Sequence, residues 1–314
     1  MSNYKGTREA FARALIEMSE NDSRLIFVSP DSLKAMRAVE FAERYPDRYV
    51  EVGIAEQNAL DVAAGMASSG LIPFVATYGG FITMRACEQM RTFIAYPNLN
   101  VKMIGINGGL LGGEREGVTH QSIEDLGILR TIPGITVLTP CDESQVYGAV
   151  KACVNIEGPV YIRCGSGREP VVYDRNIPFV FGKIRILKEY GNDVVIFSSG
   201  FIMDRSLEAT EQLKNQGIMV TLIDVSTLKP IDVDGVTEVL KKCGAAVTVE
   251  DHNIIGGLGS AVAETSVENY PVPVIRVGLK DVFPQSGVPI ELLDYYEIGV
   301  KDIIAAAKKS IEMK

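Results

Sequence analysis

The sequence predicts an α/β protein made of two successive parallel-sheet α/β domains, and three observations carry that expectation. Short β-branched runs alternate with helical patterns, the signature of βαβ units. The alternation loosens once, from Cys164 to about Tyr190, where Gly165, Gly167, Pro170 and Pro178 break any long element. A chain of 314 residues is also too long for one small core. A prior of ~150 residues per domain gives two. The expected division is 1–165, a linker over 166–190, and 191–314.

Each element has its own warrant. Ala10, Phe11, Ala14, Leu15 and Met18 recur at helical spacing and predict a helix over 5–20. Apolar, β-branched runs predict strands at 25–29, 72–77, 101–106, 135–139 and 160–163. Between them fall helices near 57–69, 82–96 and 142–155 and a shorter one near 122–130. The linker ends in a strand near 183–187, and strands follow at 194–198, 219–224, 246–250 and 274–277. Helices near 202–216, 232–242, 257–269 and 300–313 complete the second domain. No internal repeat relates the halves.

Composition narrows the function classes. A net charge of -9 with no Lys/Arg-rich run argues against a nucleic-acid or anionic-membrane surface. No apolar stretch approaches the ~20 residues of a membrane span, and the first residues lack a signal-peptide core, so the expected location is cytoplasmic. Five cysteines with no CxxC pair fit neither a disulfide framework nor a zinc site, and two histidines are too few for a multi-histidine metal centre.

The most informative stretch is Gly53-Ile54-Ala55-Glu56-Gln57-Asn58, which sets a carboxylate at a helix start inside an apolar run. An acid there also complements the helix dipole, which needs no catalytic role. In a dry setting, desolvation favours the protonated form, which can donate to a ring nitrogen. Ligand contacts in parallel sheets cluster in loops after the carboxyl ends of strands. Thr77-Tyr78-Gly79-Gly80-Phe81 is one such loop, with two aromatics around a glycine pair that would let a flat heterocycle lie against a ring. Gly108 to Gln121 is another, long, glycine-rich and carrying His120 beside Glu116 and Thr119. The loop from Ile254 through Gly256, Gly257 and Gly259 lacks the third glycine of a dinucleotide fingerprint, since Val262 stands there. Close helix packing or an anion at the helix N-terminus is the expectation.

Taken in order, Tyr49 to Asn58, Ile72-Pro73-Phe74, Thr77 to Phe81, Arg85 to Arg91, Gly117 to Asp125 and Arg130 to Gly134 closely resemble the pyrimidine-binding domain of transketolases. Glu250 to Ala261 resembles their C-terminal domain. The resemblance implies a thiamine diphosphate enzyme that moves a two-carbon ketol unit from a ketose to an aldose. It implies that Glu56 hydrogen-bonds the aminopyrimidine ring, that Tyr78 and Phe81 pack on it, that Asp31 lies near the thiazolium and that His120 faces substrate oxygens. Family members hold the diphosphate and its Mg2+ or Ca2+ through a Gly-Asp-Gly motif, which occurs nowhere in this sequence. One subunit of a split transketolase is implied, with that motif on an N-terminal subunit and an A2B2 heterotetramer as the assembly.

Departures cluster where the sugar would lie. Glu116 stands near the place of an aspartate that binds substrate hydroxyls, and Ser166 where an arginine contacts substrate phosphate. A serine cannot make a bidentate guanidinium contact. Arg163, Arg168 or Arg115 are the candidate substitutes. Three alternatives stand beside ketol transfer: a 1-deoxyxylulose-5-phosphate synthase reaction from pyruvate, the beta subunit of a 2-oxo acid dehydrogenase decarboxylase, and a non-catalytic scaffold.

Overall fold

The computed structural model describes residues 6–113, 116–167, 169–174 and 177–314. In the first half, α1 (Thr7–Ser19) turns Ala10, Phe11, Ala14 and Leu15 inward, all fully buried, and packs on α5 (Glu143–Cys153). The strands are β1 (Leu25–Ser29), β2 (Tyr49–Glu51), β3 (Ile72–Tyr78), β4 (Lys102–Ile106), β5 (Thr136–Leu138) and β6 (Val160–Arg163). Helices α2 (Val39–Arg44), α3 (Glu56–Ser68) and α4 (Asp125–Thr131) connect them. Strands β1, β4 and β6 are buried on both faces, so they read as continuous apolar runs instead of alternating ones.

The second half contains β7 (Arg185–Glu189), β8 (Val194–Ser198), β9 (Val220–Asp224), β10 (Thr227–Lys229), β11 (Ala246–Asn253) and β12 (Val274–Leu279). Around them lie α6 (Met203–Asn215), α7 (Val233–Cys243), α8 (Leu258–Asn269), α9 (Pro289–Tyr295) and α10 (Val300–Glu312). Among the described residues no helix is long and apolar enough to cross a membrane.

Two sheets result, ordered β10-β5-β6-β4-β3-β1-β2 and β12-β11-β8-β9-β7. Both are parallel in their main strands, as expected, and each adds one antiparallel strand at an edge, β10 against β5 and β7 against β9. Antiparallel edge strands on otherwise parallel sheets are common because an edge needs only one partner. The second half of the chain therefore lends β10 to the first sheet. The expected helix over 82–96 is wound wider, as π-helical turns at Phe81–Arg85 and Gln89–Ala95.

The two halves meet at a buried arginine. Arg163, at the end of β6, is 2% exposed and donates to both Asp125 oxygens at 3.0 and 3.2 Å, to Asp251 Oδ1 at 2.7 Å and to the Ser122 carbonyl at 2.9 Å. Tyr161 adds its hydroxyl to Asp125 at 2.8 Å. Burial pushes the Asp251 carboxyl up to about 6 even with Arg163 pulling it down. Beside it, Nδ1–H of His252 donates to the Asn253 carbonyl at 2.6 Å and Nε2 accepts from the Gly127 amide at 3.4 Å, which fixes the neutral ring.

The glycine loop before α8 fulfils both expectations for it. A Cβ on Gly259 would come within 2.8–2.9 Å of Arg276 and Thr248. The anion at the helix start is the chain's own Glu250, which accepts from the amides of Leu258 and Gly259 at 2.7 and 2.8 Å.

Arg163→Met leaves two carboxyls buried without their cation and is expected to destabilise the fold by about 3–5 kcal/mol, measured by urea unfolding. A pH effect follows from His252, whose imidazole burial drives down to about 4 from 6.5. Between those values the unfolded chain binds a proton that the folded chain does not. This share of stability is complete above about pH 6.5 and is lost toward pH 4, about 3 kcal/mol in all. His252→Gln removes it, so the stability gap between wild type and variant should narrow on acidification. The Asp251 and Glu250 carboxyls act in the opposite sense but are common to both proteins.

Candidate active site

The site lies at the carboxyl edge of the first sheet. Gly53, with φ +72, turns the chain out of β2, and Glu56 opens α3 with 6% exposure. Its Oε1 accepts from Nη1 of Arg85 at 3.1 Å. The acid is buried, and it is also ion-paired, which its apolar sequence neighbourhood does not reveal. The guanidinium of Arg85 also lies over the Phe81 ring, 3.7 Å from its centroid, a cation–π contact. Gln57 donates to the Arg85 carbonyl at 3.1 Å and ties the same helix start to the same turn.

Tyr78 ends β3 and Phe81 begins the wide helical turn that follows. Their centroids are 5.2 Å apart, and His120 meets both edge-on, at 4.7 Å from Tyr78 and 5.1 Å from Phe81. The glycine pair between the aromatics leaves close clearance at Gly79, where a Cβ would come 3.0 Å from Ser122 Oγ and 3.2 Å from the Tyr161 hydroxyl. Thr119 Oγ1 lies 2.9 Å from His120 Nδ1. The loop carrying His120 folds back on itself, Gly109 donating to the Ser122 carbonyl at 2.7 Å.

Asp31 follows β1 with φ 55 and donates its amide to Glu51 Oε1 at 2.7 Å; Gly53 donates to the same oxygen at 2.8 Å. Burial pushes the Glu51 carboxyl up, yet Tyr49, these amides and Ser29 together hold it below the ordinary range. Glu51 thus fastens the Asp31 turn to the Glu56 turn. In sequence it is only a strand-end acid, with nothing to mark this role.

Four of the expected residues, Glu56, Tyr78, Phe81 and His120, are joined through contacts that also include Arg85. Asp31 sits on the neighbouring strand ends. Glu116 is exposed four residues before His120, and Ser166 is half-buried after Gly165. Arg163, expected at the substrate wall, is instead committed to Asp125 and Asp251 in the interior. Arg115 and Arg168 lie outside the described residues. A further cation at the edge is Arg8 of α1, which donates to Asn107 Oδ1 at 2.5 Å, the Gly165 carbonyl at 3.3 Å and the Ala35 carbonyl at 3.4 Å. Sequence alone does not single it out, because a charge beside an apolar helical stripe reads as a solvated face.

A buried acid and a ring face together hold a flat, N–H-bearing cation, the Arg85 guanidinium. The same two contacts suit an aminopyrimidine, so the residues present fit that group. The chain is thus a two-domain α/β protein with an acid, two aromatic rings and a histidine gathered at one sheet edge. Residues 4–167 match the family model "Transketolase, pyrimidine binding domain" and residues 182–303 match "Transketolase, C-terminal domain". The chain belongs to the transketolase family.

Among its relatives, the 6-deoxy-6-sulfo-D-fructose transketolase subunit SqwH of Clostridium sp. (strain MSTE9) is 38% identical over 98% of this chain and 95% of that protein. An apulose-4-phosphate transketolase subunit of Phocaeicola vulgatus is 35% identical over 99% of each. A solved structure described as a split gene transketolase, inactive beta4 tetramer, superposes with a TM-score of 0.90 at 39% identity over 99% of each chain.

The close packing of the His120 loop can be tested at Gly113, where a Cβ would lie 2.3 Å from the His120 carbonyl carbon. Gly113→Ala is expected to shift the loop and lower stability by about 1–3 kcal/mol, read from thermal unfolding.

Proposed function

We propose that this chain is the pyrimidine-binding and C-terminal subunit of a split transketolase, which moves a two-carbon ketol unit from a ketose to an aldose. The observation that carries this reading is the convergence of Glu56, Tyr78, Phe81 and His120 at one sheet edge, in a chain similar over almost its whole length to separately encoded transketolase subunits. Thiamine diphosphate, when bound, would supply the electron sink that lets the bond beside a carbonyl carbon be broken and remade.

The chain's own residues then have distinct roles. Glu56 hydrogen-bonds the pyrimidine ring nitrogen and controls the proton there. Tyr78 and Phe81 supply the ring faces, and Asp31 borders the thiazolium side. His120 donates to substrate oxygens, and Glu116 takes substrate hydroxyls. Ser166 lines the far end of the substrate with Arg8 as its cation, which replaces the role expected of Arg163. The diphosphate and a Mg2+ or Ca2+ ion are held by a partner subunit with a Gly-Asp-Gly motif, in a cytoplasmic A2B2 assembly.

The test is to co-express the chain with such a partner and assay ketose donors and aldose acceptors with thiamine diphosphate. Ketol transfer that needs both polypeptides and the cofactor is expected. Turnover of pyruvate and not of any ketose would overturn the assignment. In the active pair, Glu56→Gln should cut turnover by about a hundredfold or more.

A further inference from the structure

The first domain supplies the acid, the rings and the histidine, which leaves the second domain without a chemical role. Its contacts give it one. The loop that carries His120 is fastened to the second domain along its length: Leu110 donates to the Asp251 carbonyl at 3.1 Å, and Asn253 donates to the Ile123 carbonyl at 3.0 Å. Between these two ties lies Gln121, 1% exposed, whose Nε2 donates to the Gln285 carbonyl at 3.2 Å. The Gln285 amide in turn donates to the Tyr296 hydroxyl at 2.8 Å. Gly117, three residues before His120, approaches the same segment so closely that a Cβ would stand 2.8 Å from Ser286 Oγ.

We propose that the second domain is a positioning element of the catalytic edge: its 281–287 loop, anchored on Tyr296, grips Gln121 and so sets the place of the adjoining His120. Gln121 and Tyr296 are positioning residues, since their side chains are linked through the Gln285 backbone and act on the edge through the adjoining His120. The physical reason is local. The amides of His120 and Gln121 both donate to the Gly117 carbonyl, at 2.9 and 3.2 Å, and the Gly117 amide donates to the Gly113 carbonyl at 2.9 Å, so single turns hold the segment here. Such a turn holds a side chain weakly unless its flank is anchored, and Gln121 is that anchor. Releasing it lets the imidazole drift from Tyr78 and Phe81, and displacements of about 1 Å at a reacting group are costly.

The test has two parts, because its kinetic half rests on the transketolase reading and its first half does not. On the full chain alone, Gln121→Leu and Tyr296→Phe are compared with wild type by amide hydrogen exchange. Faster exchange across 117–121, with β4 and β6 unchanged, is expected; unchanged exchange in that segment for both variants overturns the proposal. In the reconstituted pair, Gln121→Leu should lower ketol transfer about ten- to a hundredfold with a raised KM for the aldose, while thiamine diphosphate affinity stays within about twofold. Added to His120→Ala, it should cost less than about twofold more, because its effect runs through that ring. Full additivity of the two losses overturns the proposal. If the wild-type pair transfers no ketol group, the functional reading fails and the exchange result still decides this one.

Discussion

The structure turns on the pairing of Arg163 with Asp125 and Asp251. One guanidinium, 2% exposed, joins the end of β6 to the start of α4 and to β11 of the other domain. Taking three charges out of water costs several kcal/mol per ion, and only close, directional bonding offsets it. The planar fork meets that demand by spanning both oxygens of Asp125 while another nitrogen reaches Asp251. Remove the cation and two carboxyls remain in a space that admits no solvent. The geometry of the interface is therefore set by a fixed angle between three groups, which apolar packing alone would not impose.

That constraint reaches the active edge through the backbone. The Ser122 carbonyl, also bonded to Arg163, accepts from the Gly109 amide, so the base of the His120 loop closes directly over the ion pair. Glycine is required there for lack of room: a Cβ on Gly108 would meet the Arg163 side chain at 2.5 Å, and one on Gly109 the Asp251 carboxyl at 2.1 Å. In sequence these two glycines mark only a long, glycine-rich loop; in the fold they are clearance for the chain's own salt bridge.

This explains what is legible in the sequence and what is hidden. Fully buried strands such as β1 and β4 are plain because burial on both faces forces continuous apolar runs. Short strands at edges are not: Tyr49-Val50-Glu51 and Thr227-Leu228-Lys229 have too little pattern of their own and exist because a neighbour is there to pair with. At the site, Glu56, Tyr78, Phe81 and His120 are legible from local motifs. Their supports are not, since Glu51, Arg85 and Arg8 act on residues distant in sequence, Arg8 across 99 and 157 positions. Arg163 is misread for the same reason. An arginine at a strand end beside glycines looks like a ligand contact until its counter-charges, 38 and 88 residues away, are seen.

The acid at position 56 shows how far such long-range partners change the chemistry inferred from a motif. The motif shows only a buried acid at a helix start, and the chain places a half-exposed guanidinium against it. Burial and the cation differ in permanence: burial is fixed by α3 and the sheet, whereas the Arg85 side chain is exposed at 49% and is held by one ion pair and one ring face. A ring that took those two contacts would remove the cation's hold and leave burial in place. The ion pair thus belongs to the free chain, and the acid and the ring face that Arg85 occupies are the two contacts an incoming flat ring has to take from it.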